Sequence, residues 1–146
     1  MRKPFDSLVS LYFKQRFKYQ PLLADPSSWV HRGPRYAGHM KYAETHSCNA
    51  WVFRVSYRKI IRRLLGLQAS MFAEHTHGMD EIVRYESIEN DLNEVFNRAG
   101  IAWKGNLPKI NRTDERTERD YRSFYSQPAA LAVAFANSYD LKTYGY

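Results

Sequence analysis

Apolar residues recur at helical spacing in several stretches of this sequence, and polar or breaking residues separate them. Phe5, Leu8, Val9, Tyr12, Phe13 and Phe17 share one face at i, i+3, i+4 intervals. Pro4 suits the first turn of that helix, where its missing N–H costs nothing and its φ is already right. The run predicts a helix to about Tyr19. Pro21, Asp25-Pro26-Ser27-Ser28 and Gly33-Pro34 then break the period, and none is re-established before Asn49. Trp29, Tyr36, Tyr42 and Trp51 imply that this long stretch packs down, either as a surface excursion or as a lining for a substrate cleft.

Ser56 is a candidate cap for a second helix. Its buried stripe reads Tyr57, Ile60, Ile61, Leu64, Leu65, Gln68 and Phe72, with Arg58, Lys59, Arg62 and Arg63 on the other side. Glu81-Ile82-Val83-Arg84-Tyr85 reads as a short buried strand. Ser87 then caps a helix with Glu89 and Asp91 in its first turn, a stripe of Ile88, Leu92, Val95, Phe96 and Ala99, and Gly100 at its close. Strand, turn and helix together make one step of an α/β fold. Leu107 to Thr113 forms a polar loop. Two final helices follow, one holding Tyr121, Phe124 and Tyr125, the other starting at Pro128 with Leu131, Ala134, Phe135 and Tyr139 inward. The tail Tyr144-Gly145-Tyr146 is aromatic enough to pack back on the body.

Composition narrows the class. The 146 residues fit one domain, and 44% hydrophobic with 15% aromatic content describes a globular chain. No apolar run reaches the roughly 18 residues of a membrane span, and charge and proline interrupt the N-terminus in a way unlike a signal peptide. A single Cys48 excludes an internal disulfide and fits a reducing, cytoplasmic setting. The net charge of +7 implies an anionic partner. Four cations on the second helix can bind nucleic acid or simply form a solvated face; without an accompanying readout motif the second reading is preferred. His75-Thr76-His77 has neither a CxxC nor an HExxH beside it, so no metal is expected.

The first ten residues carry the candidate chemistry. Arg2 stands just before the helix start, where free N–H groups and the dipole favour an anion, and Ser10 falls at the edge of the apolar stripe. A guanidinium and a hydroxyl so placed can grip one phosphate. This Arg-x-Pro, with Ser10 eight residues after Arg2, resembles the 3′-phosphate-binding element of sulfotransferases, which use 3′-phosphoadenosine 5′-phosphosulfate (PAPS) as donor. Residues 80–146 resemble the C-terminal half of the same family, which includes carbohydrate enzymes and many bacterial and phage members. The matching pieces, in order, are Ile82 to Glu86, Asp91-Leu92, Gly100-Ile101, Leu107-Pro108, Asn111 with Thr113, Tyr121-Arg122, Tyr125, Asp140 and Gly145-Tyr146.

The resemblance implies a P-loop-kinase-like α/β fold with a small parallel sheet and many helices. It implies that Arg2 and Ser10 hold the 3′-phosphate of PAPS, and that Asn111, Arg112 and Thr113, with Arg116, form a second wall of the nucleotide site. Arg84 and Glu86 are expected to be structural, as a buried pair. The family's first strand, its phosphate-cradling loop and its general base find no counterpart, and nothing reads as Gly-x-x-x-x-Gly-Lys-Ser/Thr. The expectation is therefore a single, incomplete sulfotransferase-like domain over residues 1–146, lacking the N-terminal strand–loop–helix. Such a chain binds the nucleotide and transfers a sulfuryl group to a hydroxyl acceptor only when completed, through an N-terminal partner polypeptide or self-association. Glu74 and His75 are the available replacement bases, with no geometry to place them. A non-catalytic binding or structural protein on the same scaffold is the alternative, and a basic nucleic-acid-binding protein a disfavoured third.

Overall fold

The structure is a computed structural model that describes residues 2–67, 70, 72, 76, 78–103, 105, 107, 116 and 120–146. Among them run six α-helices: α1 (Pro4–Phe13), α2 (Pro34–Thr45), α3 (Cys48–Leu64), α4 (Ile88–Arg98), α5 (Gln127–Ala136) and α6 (Ser138–Thr143). Short 3₁₀ turns at Gln20–Leu23, Trp29–His31, Tyr85–Ser87 and Tyr121–Phe124 lie between them.

No strand occurs among the described residues, so the expected P-loop-kinase-like α/β fold with its small parallel sheet gives way to a helical one. The stretch Glu81–Tyr85 shows why. A strand is stable only when its N–H and C=O groups pair with a neighbour. Here the Arg84 N–H donates instead to the Asp91 carboxylate at 2.8 Å, and Ile82 is left exposed. Arg84 and Glu86 are both exposed rather than a buried pair.

The first helix follows its sequence pattern, except that Phe17, expected on its apolar face, is exposed. Pro4 occupies its first turn, and beyond Phe13 the chain winds on as a π-helical turn over Lys14–Lys18, closed by Tyr19 N–H donating to Lys14 O at 2.8 Å. α2 occupies the stretch without a steady period, entered through Gly33 and Pro34. Among its described residues it buries Met40 and Ala43 only, too little apolar surface to mark a stripe.

α3 begins at Cys48, two turns before Ser56. Ser47 caps it, its hydroxyl accepting from Ala50 N–H at 3.4 Å, and Ser56 is buried in mid-helix. The buried face is Cys48, Trp51, Val52 and Ser56, whereas Tyr57, Leu64 and Leu65 of the expected stripe are exposed by 62%, 67% and 70%. α5 decides this. It packs on α3 through the small residues Ala129, Val133 and Ala136, and Lys59 turns inward to donate to Asn137 Oδ1 at 2.9 Å. Leu131 and Phe135, expected inside, face solvent.

Val9, Tyr12, Ala43, Trp51, Val52 and Val133 meet in one core. Trp51 is fully buried, and its indole N–H donates to Gln15 Oε1 at 3.0 Å and to His39 O at 3.2 Å. α4 lies outside this core with no buried residue, and its apolar face meets the following segment, Phe96 against Trp103 with ring centroids 5.5 Å apart. Gly100, at φ +70°, closes it as predicted. The tail does fold back: the Tyr144 hydroxyl lies 2.9 Å from Thr76 Oγ1, and its ring meets Phe72 edge-on.

Candidate functional site

The start of α1 gathers residues from both ends of the chain. Arg2 forms an ion pair with Asp6 one turn on, through Nε and Oδ2. The other carboxylate oxygen accepts from Arg116 Nη1 at 2.6 Å. One carboxylate thus holds two guanidiniums that stand 114 positions apart in the sequence. Tyr85 lies beneath Arg2, with the guanidinium carbon 4.8 Å from the ring centroid. Phe124 lies 5.7 Å from the Arg116 guanidinium carbon. The Arg2 Nη groups have no partner among the described residues.

Ser10 stands one i, i+4 step after Asp6, as Asp6 does after Arg2, so Asp6 and Ser10 lie along one side of α1 with Arg2 just ahead of the helix. It is 93% buried by its 7% exposure, and it makes contacts of its own. The amide end of the helix is also occupied: Lys3 N–H donates to Glu86 Oε1 at 2.8 Å. A carboxylate at this position satisfies an N–H that the helix itself leaves open.

Aromatic residues fix the ridge from behind. Phe5 stacks on Tyr121 with centroids 6.0 Å apart and meets Tyr125 edge-on at 5.6 Å. The Tyr125 hydroxyl donates to Phe5 O at 2.9 Å. Burial raises the Tyr125 hydroxyl well above the usual phenol range, so it stays a donor at neutral pH. Burial likewise pushes the Cys48 thiol up to about 12, against the pull of nearby Arg116. Cys48 therefore packs and does not react.

The structure brings Arg2, Ser10 and Arg116 of the expected nucleotide-binding set to this ridge, the two arginines directly on Asp6. Asn111, Arg112 and Thr113, with Glu74, His75, His77 and Gln68, lie outside the described residues. Asp6, the centre of the arrangement, was missed by motif reading; its signal was the i, i+4 spacing from Arg2.

A second convergence joins other matching pieces. Arg84, whose N–H binds Asp91, lies against the tail: a Cβ on Gly145 would stand 3.3 Å from Arg84 Nη2. The Tyr146 hydroxyl is pushed up to about 12 by burial first, then by Glu86, with Arg84 opposing. Arg84, Lys142, Thr143, Gly145 and Tyr146 line a cleft of about 340 Å³. No family model, no curated protein and no solved structure matches this chain.

Proposed function

We propose that this protein binds the 3′-phosphate of a PAPS-type nucleotide at the start of α1, as a sulfotransferase-like protein that transfers a sulfuryl group to a hydroxyl acceptor only when completed by a partner polypeptide or by self-association. One observation carries the reading: Arg2 and Arg116, each assigned to the nucleotide by resemblance, converge on Asp6 beside Ser10.

The chemistry fits a phosphate. Asp6 and Tyr85 orient Arg2 while engaging only its Nε edge and its face, so its terminal nitrogens can form the paired N–H···O contacts that a phosphate accepts. A carboxylate between two guanidiniums also keeps them together in the absence of ligand, which lowers the cost of assembling the site. Calorimetry with adenosine 3′,5′-bisphosphate tests the reading. Arg2→Ala should weaken binding by roughly 1.5–3 kcal/mol, the range for a hydrogen bond to a charged group. Arg116→Ala should weaken it too. Affinity unchanged in both variants would dismiss the site.

A further inference from the structure

We infer that the paired helices α2 and α3 form a binding face for single-stranded nucleic acid, distinct from the α1 ridge. The face begins with charge. Between Trp29 and Leu67 stand eight Lys and Arg against one Glu, and α3 itself carries five cations and no acid. Folding sorts them. Lys59 turns inward to Asn137, whereas Arg54, Arg58 and Arg62 stay exposed at successive i, i+4 steps, about 6 Å apart along the helix axis.

α2 adds to the same side. Arg54 lies over the Tyr42 ring at 4.7 Å, and its Nη2 is the nearest atom to Gly38 at the position of a Cβ, 3.9 Å away. Arg35 and His39, one turn apart on α2, therefore run alongside Arg54 and Arg58, and His39 senses all three arginines. Among the described residues, no carboxylate pairs with Arg35, Arg54, Arg58 or Arg62. Like charges held together, with no paired carboxylate among the described residues, favour an anion that bridges them.

Aromatic rings select the kind of polyanion. At about 100° per residue, Phe53 and Tyr57 lie next to Arg54 and Arg58 on the solvent side of α3. They are exposed by 41% and 62%, flat surfaces on which unpaired bases can stack while the arginines follow the phosphates. A duplex hides its base faces and could use only the cations. The order of cation and ring along one helix face thus fits a single strand.

The test is fluorescence anisotropy of the full chain with a labelled mixed-sequence single strand of about twenty nucleotides. Four cations meeting four phosphates give a slope of log K against log salt of about −2.8, at roughly −0.7 per phosphate, between about 50 and 200 mM salt. Arg58→Glu with Arg62→Glu should weaken binding at least about tenfold and flatten the slope, since each lost contact removes a released counterion. Tyr57→Ala should weaken binding about fivefold or more with the slope unchanged, because stacking releases no counterion. Circular dichroism checks folding, and Arg58→Gln with Arg62→Gln repeats the charge test should the reversal unfold the chain. These variants should leave adenosine 3′,5′-bisphosphate binding at Arg2 intact, so this inference and the nucleotide reading fail separately. A slope near zero, an unaffected charge variant, a duplex bound as tightly as the single strand, or stronger capture by phosphatidylserine vesicles would each overturn the inference.

Discussion

His39 shows how one residue can register its whole neighbourhood. Burial first, and then Arg54 and Arg58 from α3 with Arg35 from its own helix, hold its imidazole below the ordinary value of 6.5. The folded protein therefore binds fewer protons here than the unfolded chain. The stability this contributes is fully present above the unfolded pKa and is lost as pH falls through the lower, folded one. The thermal midpoint should drop between about pH 7.5 and 5.5, and His39→Gln should remove part of that drop. An identical pH profile in the two proteins would show that His39 titrates as it does in water. Because its backbone carbonyl accepts from Trp51, the substitution leaves the indole contact in place.

At the scale of elements, Asp6 fastens the start of α1 to the segment that holds Arg116. The Arg116 side chain is only 9% exposed and that of Asp6 16%, so water screens their pairing weakly. Asp6→Ala removes the carboxylate that both guanidiniums contact. Losing both charge-assisted contacts should destabilise the protein by about 1–3 kcal/mol, read as a lower urea midpoint. Arg116→Met combined with Asp6→Ala should cost less than the two single changes added together, since both remove the same contact. A midpoint indifferent to Asp6→Ala would show the contact to be a surface pair of little worth. This residue was legible only as half of a local helix pair, because Arg116 reaches it from the far end of the chain.

For the molecule as a whole, the nucleotide reading separates binding from transfer. Sulfuryl transfer needs preorganised donors at the 5′-phosphosulfate, where charge develops as the bond breaks. A grip on the far phosphate supplies remote binding energy alone. No stretch of the 146 residues reads as a phosphate-cradling loop. The purified chain should thus transfer no label from PAPS to hydroxyl acceptors while still binding adenosine 3′,5′-bisphosphate. Transfer by the chain alone, abolished by Arg2→Ala, would contradict this expectation.

Local signals determined several elements by themselves. Pro4 and the apolar face behind it set the start of α1, Gly100 the end of α4, and the aromatic tail its return to the body. Each depends on residues within a turn or two, or on burial that any body would provide. The tertiary structure decided the rest. α3 is apolar enough on adjoining faces that either could be buried, and the small residues of α5 chose Trp51, Val52 and Ser56 over Tyr57, Ile61 and Leu64. The residues from Glu81 to Tyr85 have strand composition, but a strand's hydrogen bonds come from a partner strand, and the described residues form none. The sequence named Arg2 and Arg116 separately; only folding could put one carboxylate between them, because nothing along the chain encodes a contact across 114 positions.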